Sequence, residues 1–352
     1  MGARRNPQSM LHSIKIRVCQ FLHEAQQTFR ARFGTRNGVI VGGVEYRRVK
    51  CFGVGRYGMV YYISRGWNKL VLEEIMGNDR EICDRVEIEI EILSKFACKD
   101  FIVGLTVVNW TDKRCQMIYP AKLYNLPTLA QVIYDQREVG RWYSSDKIWL
   151  MMRMILSVLK VLHDNRYIHL DLNPDNILVG PDGRMILRNF SASLKCRNDR
   201  LIVKYMSGTQ EEIVNLRDHI NKLTNPWTRS PELRVPGDYI KPSTDIWSLG
   251  CVMYIIAYLE RPFVAAAAKK QTKLSTAIQT PSRYLEFPPR DAITDRGVLH
   301  RMLKSMLTSR ECERPTVNDL LNEIPDIPPP RGVLPSLSMC TPTNLPNVNS
   351  RR

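Results

Sequence analysis

His169-Leu170-Asp171-Leu172-Asn173-Pro174-Asp175-Asn176-Ile177-Leu178 is the stretch on which the reading of this chain turns. Leu162-His163 and Tyr167-Ile168 lead into it, and Asn189-Phe190-Ser191 begins 18 residues past Asp171. About 115 residues upstream lies Gly53-Val54-Gly55-Arg56-Tyr57-Gly58-Met59-Val60. Glycines at such a spacing let backbone approach phosphate groups closely, because no side chain intervenes. Downstream come Ser230-Pro231-Glu232, then Asp245-Ile246-Trp247-Ser248-Leu249-Gly250, then Arg261-Pro262-Phe263, then Glu313-Arg314-Pro315-Thr316.

The 352 residues suffice for one large or two modest domains, and the apolar share of 44% is ordinary for a globular chain. No run approaches the ~18 apolar residues that span a bilayer; Cys251 to Tyr258 is far too short. Arg4 and Arg5 are not followed by a signal peptide's apolar segment. The nine cysteines are scattered and never form C-x-x-C. That pattern argues for a reducing, intracellular setting and against a disulfide framework or zinc site. The net charge of +16 suits nucleic acid or an acidic partner, although a solvated basic surface is the plainer reading.

Residues 1–40 form a basic extension in which Met10, Leu11, Ile14, Val18, Phe21 and Leu22 predict a helix over 8–32. Glu45 to Ile75 reads as strands around the glycine-rich turn. Residues 80–96 read as an amphipathic helix with Val86, Ile90 and Leu93 on one face. Strand-like pieces follow at 101–109 and 115–120, and helical patterns dominate 127–323. Within the latter, Ile213, Leu216, Ile220 and Leu223 predict an inserted helix over Glu211–Leu223. The tail at 324–352 is rich in Pro, Ser, Thr and Asn and cannot bury enough apolar surface to order itself.

In this order and spacing the motifs resemble those of the protein kinase family, over about residues 46–323. The resemblance implies an α+β, bilobal fold, with a small β-rich lobe at about 46–120 and a larger helical lobe at about 124–323. It makes Asp171 the acceptor of a substrate hydroxyl proton and Asn176 a metal ligand. Gly53, Val54, Gly55, Gly58 and Val60 would cover the phosphates of ATP. Val71, the third-strand position at Glu73, and the hinge residues Ile118, Tyr119 and Ala121 would complete the nucleotide site, with Ile118 guarding its back. His169 would support the loop, Asp245 would pin it, and Arg314 would pair with Glu232. Glu89 would be the partner of the third-strand lysine. Leu-Asn-Pro-Asp-Asn follows the Ser/Thr pattern more than the tyrosine pattern. The relaxed motifs are similar in style to those of kinase-like proteins of large DNA viruses.

The departures are as informative. Glu73 stands where the family keeps the phosphate-holding lysine; a hairpin one residue longer would put Glu74 there instead. Leu170 and Asn173 replace the loop's Arg and Lys. Asn189 replaces the metal-binding Asp, and Ser191 the Gly after it. An amide oxygen can coordinate magnesium but neutralises none of its charge. Carboxylates of Glu73 and Glu89 at ~4 Å would repel by roughly 4 kcal/mol at an effective dielectric near 20, so one is expected to be protonated, paired elsewhere or turned away. Lys69 and Arg56 are the nearest candidates for a relocated cation. The reading is a catalytically impaired Ser/Thr kinase homologue that acts through protein partners. ATP is its implied ligand, and binding of Mg2+ or Mn2+ is weakened. The competing readings are an active, atypical Ser/Thr kinase with protein substrates, and a basic scaffold whose N-terminus binds nucleic acid. No membrane role is expected.

Overall fold

The computed structural model describes residues 38–54, 58–76, 80–96, 100–111, 114–196, 203–204, 220–234, 239–291 and 293–325. The expected helix at 8–32, the Gly55–Tyr57 turn, Arg56, and the tail from 326 onward lie outside the described residues, as do Ile213 and Leu216. Ile220–Leu223 is helical, and Ile220 and Leu223 are buried.

The chain divides into two compact units. One comprises residues to Asp84 together with Gly104–Asn125; the other comprises Arg85–Val103 and the chain from Leu126. The first is built on a six-stranded antiparallel sheet: β1 (Gly38–Val41), β2 (Val44–Val54), β3 (Gly58–Arg65), β4 (Asn68–Met76), β5 (Val107–Thr111) and β6 (Arg114–Pro120), in the order β1-β2-β3-β4-β6-β5. Successive side chains of a strand point to opposite faces. One face gathers Val39, Val41, Tyr46, Tyr61, Ile63, Leu72 and Ile118 into a buried core. The other carries Val60, Val71, Glu73, Met117 and Tyr119, because Val60 and Met117 both stand opposite Glu73, and Tyr119 stands opposite Val71.

This register chooses between the two glutamates. Glu74 falls on the core face, where its carboxylate accepts from Arg48 at 3.0 Å, Arg114 at 3.0 Å and the Gln116 amide at 2.8 Å. Arg48 also lies over the Tyr61 ring, 4.9 Å from its centroid. Of the two glutamates, Glu73 shares a face with Val71. Ile118 packs with Leu72 in the core, while Tyr119 takes the Val71 face. Gly58 admits no side chain, since a Cβ there would sit 2.0 Å from the Glu74 carbonyl oxygen.

The second unit is helical. Its helices include α1 (Arg80–Lys95, whose first turn falls in the other unit), α2 (Leu129–Glu138), α3 (Ser145–Asp164), α4 (Ser243–Tyr258), α5 (Arg296–Met306) and α6 (Val317–Glu323). On α1 the expected face of Val86, Ile90 and Leu93 is buried. Residues Thr244 to Tyr258 of α4 are buried all round, as befits a helix at the centre of its unit. Among the described residues no helix is long and apolar enough to cross a membrane.

Removing one member of a buried charge network leaves the others desolvated. Glu74→Ala is therefore expected to lower the unfolding free energy by about 3 kcal/mol, against about 0.5 kcal/mol or less for Glu87→Ala on the exposed face of α1. Urea denaturation of the two variants checks this.

Candidate active site

Two short antiparallel pairings fix the loop that opened the sequence reading. Ile168, just before it, pairs with Leu194, and Ile177, just after it, pairs with Leu187. The segment 188–193 must therefore lie against the loop 169–176. The Arg188 N–H donates to the Asn176 carbonyl at 3.0 Å.

The loop hangs from α4. Asp245, with no exposed surface, accepts from the backbone N–H groups of His169 at 2.8 Å and Leu170 at 2.9 Å, and its carboxylate meets His163 Nε2 at 2.9 Å. Burial by itself would raise the Asp245 pKa; the His163 contact and the backbone donors outweigh it and hold the carboxyl below its usual range. Leu170 takes a positive φ of 64°, which puts its side chain in the interior, 1% exposed. His169 accepts the Asp171 N–H on Nδ1 at 3.2 Å, and its ring meets Phe190 edge-on at 5.1 Å between centroids.

Asp171 is 2% exposed. Its Oδ1 accepts from Asn173 Nδ2 at 3.0 Å and from the Asn225 N–H at 2.6 Å, and its Oδ2 accepts from Asn176 Nδ2 at 2.7 Å. Asn173 Oδ1 also caps the next turn, accepting the Asp175 N–H at 3.0 Å. Asn176 Oδ1 accepts from Asn189 Nδ2 at 3.0 Å, and Asn189 Oδ1 accepts from the Ser191 hydroxyl at 2.7 Å. The carboxylate can only accept, so it forces each amide in turn to present nitrogen toward Asp171 and oxygen away from it.

This donor set does not suit a magnesium or manganese ion. Such ions favour charged oxygens with free lone pairs. Here the two candidate ligands are amides, which bring no charge, and each amide oxygen already accepts one N–H or O–H donor. Among the described residues no three of His, Cys, Asp and Glu cluster as metal ligands.

Glu89 of α1 is paired elsewhere, as one of the sequence expectations allowed: its Oε1 accepts the Phe190 N–H at 3.0 Å. Arg314 grips Glu232 through two bonds, at 2.7 and 2.8 Å. Burial would raise the Glu232 pKa, but the bonds from Arg314 hold it below the usual carboxylate range. In the sheet unit, Val60, Val71 and Glu73 share their face with Tyr119; Gly53 and Val54 end β2, and Ala121 follows β6. Sequence reasoning missed Asn225. Its only signal is an Asn-Pro step ahead of Ser230-Pro231-Glu232, and it is aimed by the buried Arg229, which bonds Thr224 and Asn221.

The family model described as protein kinase domain matches residues 46–324. A protein named "Probable cell division protein kinase" of Encephalitozoon cuniculi is 30% identical over 227 residues, covering 63% of this chain and 75% of that protein. Mouse serine/threonine-protein kinase 16 is 27% identical over 304 residues, 84% of this chain and 94% of the relative. For its human counterpart the figures are 27% over 205 residues, 58% and 63%. The chain belongs to the protein kinase family, and its α+β fold is that of the family.

Depressed carboxyl pKa values stabilise the fold above the unfolded values, about 4, and that stability is lost as pH falls through the folded ones. Urea midpoints are therefore expected to drop on acidification below about pH 4. In Arg314→Ala the loss is expected already at neutral pH, at about 3–5 kcal/mol, since Glu232 stays buried without the partner that satisfied it.

Proposed function

We propose that this chain is a catalytically impaired Ser/Thr kinase homologue that works by binding protein partners. The observation that carries this reading is the state of Asp171. Its carboxylate is held by three neutral donors, in a loop with no cation at Asn173 and no charged metal ligand at Asn189. Phosphoryl transfer depends almost entirely on positioning and electrostatic stabilisation. Loss of one such charge costs on the order of 10²–10³ in rate, and the positions of Glu73, Asn173 and Asn189 have lost theirs. At Glu73 the sign is reversed, since an acid stands beside Val71 where the family places a cation.

ATP remains the proposed nucleotide. Gly53, Val54, Gly55, Gly58 and Val60 are assigned to its phosphates, Val71 to its base, and the backbone at Tyr119 and Ala121 to its adenine edge. Hinge bonds come from backbone and tolerate side-chain change. Tyr119 replaces Ile118 as the side chain on the nucleotide face. Metal is left out of the proposal because the donor set at Asn176 and Asn189 does not suit it. Asn173 Nδ2 holds the Asp171 carboxylate in place but brings no charge to a developing phosphoryl transition state. The retained Asp171 and Asn176 favour the second reading, an active atypical kinase.

Transfer of labelled γ-phosphate from ATP to a generic Ser/Thr substrate, and to the protein itself, separates the two. With magnesium or manganese, no transfer above that of Asp171→Asn is expected. Transfer that disappears in Asp171→Asn would overturn the impaired reading.

A further inference from the structure

We propose that the run Asp171–Asn176–Asn189–Ser191 is an internal replacement for the divalent cation, so that this loop is set by protein N–H and O–H groups and a single substitution would open a cation site. The inference rests on the kinase reading of the site but not on whether turnover survives.

A cation between a carboxylate and two side-chain oxygens would draw all three oxygens inward. Here the same positions are joined by hydrogen atoms. Asn176 Nδ2 reaches both the Asp171 carbonyl, at 2.8 Å, and its Oδ2, at 2.7 Å. Asn189 Nδ2 then fills the oxygen of Asn176 at 3.0 Å, and the Ser191 hydroxyl fills the oxygen of Asn189 at 2.7 Å. Each amide is bonded at both its nitrogen and its oxygen, so flipping Asn189 breaks two bonds and flipping Asn176 breaks three. Asn176 and Ser191 are 6% and 3% exposed, and a broken bond would leave a desolvated polar group. The direction of the run is set by its ends, a carboxylate that only accepts and a hydroxyl that can donate. The residue at 191 therefore matters as much as that at 189. A glycine there would leave Asn189 Oδ1 without its donor.

The backbone is ready for the reverse change. Asn189 has φ of 63°, a region that Asn and Asp tolerate better than other side chains. Asn189→Asp keeps size and backbone. It loses the donor to Asn176 Oδ1, and it sets a second carboxylate near Asp171. Both effects call for a cation.

Mn2+ alone, titrated without nucleotide and followed by the loss of its free electron paramagnetic resonance signal, tests the proposal on the full chain. The wild type is expected to show no saturable site at millimolar cation. Asn189→Asp is expected to bind one Mn2+ at least about tenfold more tightly, and Asn176→Ala in that background is expected to abolish the gain. A wild-type site abolished by Asn176→Ala would overturn the proposal. So would an Asn189→Asp protein that is folded by circular dichroism and gains nothing. If Asn189→Asp does not fold, Ser191→Ala releases Asn189 Oδ1 with little change in volume; a gain in Mn2+ affinity supports the proposal and no gain overturns it. Because turnover is not read, this result and the γ-phosphate experiment can fail independently.

Discussion

The buried carboxylate of Asp245 is the constraint on which the rest of the active-site geometry depends. It sits at the start of the most enclosed helix and accepts two consecutive backbone N–H groups of the loop as well as a contact from His163. A desolvated charge of this kind is tolerable only when fully bonded. The bonding therefore dictates where His169 and Leu170 run, and it accounts for the left-handed conformation at Leu170. With those two residues fixed, Asp171 is aimed, and the pairing of Ile177 with Leu187 brings Asn189 to it.

Asp245 and the Glu232–Arg314 pair form a bonding pattern that any folded kinase domain could use. On the proposed reading, the loop brings no charged group to phosphoryl transfer at Asn173 or Asn189. The groups present are bonded to one another: Asn173 and Asn176 bond to Asp171, Asn189 bonds to Asn176, and Ser191 ends the run. Unrelated changes at Asn173, Asn189 and Ser191 would have left unpaired polar atoms in a buried place. A closed run of bonds is what a loop needs if it is to stay ordered without an ion.

In the sheet unit a similar economy appears on the other side of β4. Glu73 and Glu74 are neighbours in sequence but face opposite ways. Glu74 is fixed by two arginines and a glutamine on the core side, which explains an acid at this place in β4 without reference to catalysis.

Much of the fold and part of the site could be read in the sequence, because motif order and spacing are local properties. The catalytic loop, the Asn-Phe-Ser segment, the start of α4, the Glu232–Arg314 pair and the stripe on α1 were each visible as residue patterns. Which of Glu73 and Glu74 faces with Val71 was not visible, nor was the core position of Ile118, because a one-residue change of register exchanges the two faces of a strand. Nor could the sequence show that Asn225 donates to a carboxylate 54 positions away, or that Asn176 turns its nitrogen toward Asp171. The sequence by itself determined which chemical groups are present and which charges are missing. Only the tertiary structure decided what those groups bond to, since side-chain amides have no fixed partner until packing brings one within reach.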